Sequence, residues 1–187
     1  MRCGVEVAPL RADPADDAEQ VTQALAGEPL EVLERRGAWA RVLTVYAYEG
    51  WVRADALADG KGVMPARSAS SPLEAARDLL GAPYEWGGVT RRGIDYSGLV
   101  HMTYRRAGRL VPRDAWQQEE AARRVDEGDA APGDLAFYGE PASRADHDAF
   151  WLGEGRILHA TARDGRGVVE EPEPPELRAR RRSLGRL

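Results

Sequence analysis

Along the first third of the chain the apolar residues come in short clusters, each closed by a turn signal. Leu30, Val32 and Leu33 form one run, Arg36-Gly37 supplies a turn, and Trp39-Ala40-Arg41-Val42 alternates apolar with polar. A second turn precedes Gly50-Trp51-Val52. Strands this short and closely spaced, over residues 5–57, predict a small barrel rather than an open sheet. The pattern then lapses: residues 58–70 are small, polar and turn-rich, the composition of a linker. This divides the chain into a β domain over 1–58, a linker over 59–70 and a second domain over 71–187.

The second domain opens with helix signals. Ser71 is an N-cap, Pro72 falls at the first helical position, Glu74 completes a capping box and Gly81 is the stop. Gly81 to Gly88 reads as a stiff loop. Asp95 caps a second helix that begins at Tyr96 and runs to about Ala107, with Gly108 behind it. A third starts at Asp114, with Gln117 as reciprocal cap, and continues to about Arg124. Strands are predicted at Leu135–Tyr138, His147–Leu152 and Arg156–Thr161, the last two joined by the three-residue loop Gly153-Glu154-Gly155. Pairing Leu152 with Arg156 sets Trp151 opposite Ile157, Ala149 opposite His159 and His147 opposite Thr161. His147 and His159 then share one face as diagonal neighbours about 7 Å apart, an arrangement suited to a base and the group that orients it. The fold class is α+β, an all-β barrel followed by a mixed domain.

Composition narrows the chemistry. A length of 187 residues suits two small domains, and a net charge of -5 gives no reason to expect a nucleic-acid partner. Cys3 is the only cysteine, so an intrachain disulfide and a thiolate metal cluster are both excluded. The three histidines, His101, His147 and His159, lack carboxylates at ligand spacing, and neither metal nor cofactor is expected. No apolar run has signal or membrane-span length, which points to a cytoplasmic protein with no membrane partner. His101, inside the second helix, reads as structural, and Cys3 as an incidental thiol. The basic run Arg178-Ala179-Arg180-Arg181-Arg182 follows an acidic, proline-rich stretch and reads as a solvated terminal segment.

Chemistry concentrates at residue 96. A helix N-terminus offers unpaired N–H groups and positive potential, which make a thiol there a thiolate near neutral pH. A tyrosine in that place is a phenol with a pKa near 10 and a bulky ring.

Gly81 to Gly88, Asp95-Tyr96-Ser97-Gly98-Leu99-Val100, Gly133-Asp134-Leu135, His147 to Gly153 and Ile157-Leu158-His159-Ala160 together resemble the NlpC-type cell-wall peptidases, over about residues 73–170. Glu28 to Leu33, Trp39 to Val42 and Gly50-Trp51-Val52 resemble the bacterial SH3-like domain, a frequent companion that binds or positions cell-wall peptide. The resemblance implies a papain-like α+β fold in which an Asp-Cys-Ser-Gly motif supplies the nucleophile. It further implies His147 as base, His159 as its orienter, Tyr84 lining the site, and Asp95 and Ser97 holding a peptide's amino end. The implied activity is a γ-D-glutamyl-diamino acid endopeptidase acting on the murein peptide L-Ala-γ-D-Glu-diamino acid in cell-wall turnover or recycling. Three residues depart from the pattern: Tyr96 at the nucleophile, Asp148 where the family has an apolar residue, and Ala149 where it has glycine. For Tyr96 three readings stand open: a natural pseudoenzyme that binds without cutting, a single-base substitution of a cysteine codon, or a tyrosine nucleophile.

Overall fold

Short antiparallel strands build the first of two units, Met1–Ala66 and Arg67–Leu187, in the computed structural model, which describes residues 1–187. The strands are β1 (Arg2–Cys3), β2 (Val7–Arg11), β3 (Gln20–Leu25), β4 (Leu30–Arg36), β5 (Trp39–Thr44), β6 (Glu49–Arg53) and β7 (Leu57–Ala58). Five of them form a sheet in the order β3-β2-β6-β5-β4, and β1 pairs with β7. Alternation along them turns Leu10, Ala24, Leu30, Val42 and Val52 into one buried cluster with Cys3. This is an all-β, SH3-like unit.

The second unit is a mixed domain. Its elements are α1 (Pro72–Arg77), β8 (Val89–Thr90), β9 (Gly93–Ile94), α2 (Tyr96–Arg106), α3 (Ala115–Ala121), β10 (Arg123–Val125), β11 (Leu135–Tyr138), β12 (His147–Gly153), β13 (Arg156–Thr161), β14 (Gly167–Pro172), α4 (Pro175–Arg178) and β15 (Arg181–Arg186). Six strands form an antiparallel sheet in the order β10-β15-β11-β12-β13-β14. Period-2 alternation makes both faces apolar. Leu135, Phe137, Phe150, Leu158 and Ala160 pack with Leu99, Val100 and Tyr104 of α2. Ala136, Tyr138, Ala149, Trp151, Ile157 and Leu184 form a second cluster, with Leu177 of α4 packed against it.

The caps at Ser71 and Asp95 are where the sequence puts them: each side chain accepts the N–H three residues on, from Glu74 and Gly98. Three features correct the sequence reading. The third helix ends at Ala121, because Ala122 turns extended (ψ 137) and Arg123–Val125 joins the sheet edge beside β15. The β12–β13 hairpin pairs Gly153 with Arg156, with Leu152 at an irregularity in the register. Its turn is only Glu154-Gly155, both left-handed (φ 52 and 67), the geometry of a type I′ turn.

The largest correction concerns the basic tail. Arg181–Arg186 is an inner strand of the sheet, seated between β10 and β11. Alternation accounts for it: Leu184 enters the second cluster while the arginines meet acids from distant elements. Arg182 Nε reaches Glu119 Oε2 at 3.0 Å, Arg181 reaches Glu127 at 2.8 Å and Glu173 at 3.3 Å, and Arg186 Nε reaches Asp134 Oδ1 at 2.5 Å. If the strand is structural, Leu184→Ala should lower unfolding stability by about 2–4 kcal/mol, the usual cost of truncating a core leucine, with the denaturant midpoint falling at unchanged slope. A solvated tail would show no change.

Candidate functional site

The N-terminus of α2 is held by one buried carboxylate. Asp95 Oδ1 accepts from the Gly98 N–H (2.6 Å) and from Arg113 Nη1 (3.1 Å), and Oδ2 accepts from the Gly87 N–H (2.8 Å) and Arg113 Nη2 (2.8 Å). Arg113 also donates to Ser97 Oγ at 2.9 Å. Glycine at 98 is a requirement of this packing, since a Cβ there would lie 2.4 Å from the Gly88 carbonyl oxygen. Asp95, Ser97 and Arg113 are all buried. Through these bonds Asp95 ties the loop at Gly87 to the first turn of the helix, and Arg113 links Asp95 to Ser97.

Residue 96 and the imidazoles converge. The Tyr96 ring lies 4.6 Å from the His147 ring, centroid to centroid, and His147 Nε2 is 2.8 Å from His159 Nδ1. The two imidazoles stand nearly perpendicular at 88°. Their side chains close the strand-diagonal gap into a direct hydrogen bond. Tyr84 and Trp86 both flank Tyr96, at 6.5 and 6.1 Å between ring centroids, so Tyr84 packs on residue 96. Tyr96, Tyr84, His147 and His159 therefore form one cluster. Trp86, half exposed, rims it and was not singled out by the sequence reading.

Glu171 was also missed. On β14, it accepts from His159 Nε2 (3.0 Å) through Oε1 and is held by Arg163 and Arg166. In the sequence it sits inside the acidic, proline-rich stretch, where no local signal separates it from its solvated neighbours. His101 has the structural place expected of it, buried with Nδ1 2.8 Å from the Val111 carbonyl. Cys3 is buried in the first unit, its Sγ 3.2 Å from the Val5 carbonyl, and burial pushes its thiol pKa up.

The electrostatics favour neutral groups. Burial lowers the pKa of His147, helped by His159 and Arg180, and burial lowers that of His159 against the opposing pull of Glu171. The Tyr96 phenol is pushed far above its ordinary value, first by burial and then by Tyr84, Asp95, Asp148 and Asp146. Tyr84 rises to about 12, through burial and Asp95. Two neutral imidazoles beside a protonated phenol make a poor setting for a tyrosinate nucleophile, and the Tyr96 ring fills the space in front of the His147 ring.

Residues 81–176 match the NlpC/P60 family, and residues 10–57 match the bacterial dipeptidyl-peptidase Sh3 domain. The chain belongs to the NlpC/P60 family. It is 30% identical over 135 residues to the gamma-D-glutamyl-L-lysine dipeptidyl-peptidase of Bacillus subtilis, covering 70% of this chain and 44% of that one. The chain thus spans less than half the length of this curated relative. Among solved structures, an NlpC/P60 family protein from Bacillus cereus superimposes with a TM-score of 0.59 at 24% identity, over 99% of this chain and 62% of the other. RipD of Mycobacterium tuberculosis, described as a non-catalytic NlpC/p60 domain protein adapted to peptidoglycan binding, does so with a TM-score of 0.52 at 24% identity, over 66% and 99%. These two likenesses bear on the fold.

Asp148 is the remaining oddity. It is fully buried on the helix-facing side of β12, neither carboxylate oxygen has a hydrogen-bond partner, and burial together with Asp95 holds its pKa well above the usual carboxylate range. Below about pH 4 the folded and unfolded chains both carry this proton. As pH rises further the unfolded carboxyl ionises while the folded one does not, so the residue becomes progressively more destabilising. Asp148→Val should therefore raise stability by about 1–3 kcal/mol at pH 7 and by less near pH 4, measured by denaturant unfolding at both pH values. A loss of stability at pH 7 would refute this account.

Proposed function

We propose that this chain descends from γ-D-glutamyl-diamino acid endopeptidases of the cell wall and retains a groove for murein peptide while its capacity to cut is lost. The observation that carries the reading is the contact between Tyr96 and His147. The helix N-terminus and the imidazole pair that would activate a thiol are both in place, and the group they serve is a protonated phenol. Loss of a nucleophile from a catalytic unit typically costs on the order of 10⁴ to 10⁶ in turnover. The relatedness to the dipeptidyl-peptidase of Bacillus subtilis supports the substrate class. RipD supports the idea that a domain of this fold can bind peptidoglycan without cleaving it.

The ligand is L-Ala-γ-D-Glu-diamino acid or a longer murein peptide. Tyr84, Trp86, Tyr96 and His147 supply the recognition surface, and Arg113 holds Asp95 and Ser97 beside it. The SH3-like unit presents or positions the same class of peptide.

Calorimetry of the unaltered chain with L-Ala-γ-D-Glu-diaminopimelate should show saturable binding without product formation. Tyr96→Cys should then gain thiol-dependent hydrolysis of the same peptide, abolished by alkylation. Absence of heat in the first experiment removes the binding role, hydrolysis by the unaltered chain removes the claim of impairment, and a revertant that binds without cutting shows that the imidazole framework has itself decayed.

A further inference from the structure

A chain of hydrogen bonds leads from the cluster to a carboxylate that neither strand of the histidine hairpin supplies. His147 Nε2 meets His159 Nδ1 at 2.8 Å, and His159 Nε2 meets Glu171 Oε1 at 3.0 Å. Glu171 belongs to β14, where it is the register partner of Ile157 and is 7% exposed. Its Oε1 also accepts from Arg163, and its Oε2 from Arg166. The two arginines bracket a turn whose residues Asp164 and Gly165 are left-handed (φ 53 and 67), which folds both guanidinium groups back onto the same carboxylate. Gly167 anchors that turn. Its φ is +69°, and a Cβ at this position would lie 2.1 Å from the Ala82 carbonyl oxygen, so the start of β14 is fixed against the loop after α1.

The direction of the proton along this line follows from valence. An ionised carboxylate only accepts, so the hydrogen between Glu171 and His159 sits on His159 Nε2. Burial keeps both rings neutral, and a neutral imidazole has one N–H and one lone pair. His159 Nδ1 is therefore an acceptor, and the hydrogen in the bond between the rings must come from His147 Nε2. What remains free on His147 is the Nδ1 lone pair, on the ring that packs against residue 96.

We propose that Glu171 is a positioning residue: acting through His159, and itself oriented by Arg163 and Arg166, it fixes His147 as the Nε2–H tautomer and reserves Nδ1 as the lone pair for the group at position 96. This rests on the reading of His147 and His159 as the base and orienter of a peptidase framework. It adds a third member to that framework and names the atom that would take the proton.

Long-range ¹H–¹⁵N spectra of the full chain at neutral pH, without peptide, read the tautomers directly. Both His147 and His159 are expected to show a protonated Nε2 and an unprotonated Nδ1. In Glu171→Gln the single amide oxygen is claimed by two guanidinium groups and the amide N–H turns toward His159 Nε2, so both rings are expected to switch to the Nδ1–H form. Arg166→Gln leaves the carboxylate with Arg163 and should leave both tautomers unchanged, which separates this role from general support of the turn. An Nδ1–H form of either ring in the unaltered chain overturns the proposal. So does a Glu171→Gln protein that folds with an unchanged thermal transition and unchanged tautomers. Should Glu171→Gln not fold, the spectrum of the unaltered chain decides alone. Peptide binding is not needed for any of these readouts, so failure of the proposed ligand would leave the result standing.

Discussion

The four hydrogen bonds converging on the Asp95 carboxylate fix everything else about the site. They tie the loop at Gly87 to the first turn of α2 and bring in Arg113 from the segment ahead of α3. A charge pair this deeply buried is costly to desolvate, and it is tolerated because each Asp95 oxygen accepts two hydrogen bonds and the guanidinium donates to both oxygens and to Ser97. The consequence is geometric. Residue 96 is presented at a helix N-terminus whose direction cannot drift, and the Ser-Gly that follows it in the sequence serves the same close packing.

Opposite that helix, the sheet supplies the imidazoles. Because β12 and β13 are neighbours near the middle of a six-stranded sheet, His147 and His159 inherit the rigidity of the strands that carry them. The rings then settle each other's orientation through a single hydrogen bond, and Glu171 extends the line into β14. A phenol rather than a thiol stands in front of this array, its ring 4.6 Å from that of His147. Charge is managed in the same spirit elsewhere: the arginines of β15 can occupy an inner strand because each finds an acid from α3, the 3₁₀ turn at Glu127, the strand end at Asp134 or the β14–α4 loop.

Much of the local structure was legible in the residues. Ser71 and Asp95 announced their helices because a cap is a local hydrogen bond between side chain and backbone, needing only a few residues of sequence. The shared face of His147 and His159 followed from the period-2 rule, which survives an error at the hairpin tip. The Leu152–Arg156 pairing was wrong, yet Trp151 still faces Ile157, because the irregularity at Leu152 absorbs the difference. Arg178 to Arg182 misled for the opposite reason. A run of arginines carries no local sign of burial, and the acids that neutralise them lie up to 63 residues away in sequence, as for Arg182 and Glu119.

The sequence by itself determined the two-part division in outline, the helix starts, the strand faces, the family resemblance and the presence of tyrosine at 96, since each rests on spacing or identity over short stretches. Tertiary structure alone decided that Asp95 and Ser97 look inward to Arg113, that Glu171 stands behind His159, that Asp148 is sealed without a partner, and that the chain's last strand is an inner one. Each of these depends on which distant group completes a buried hydrogen bond or ion pair, and that choice is made only when the sheet assembles.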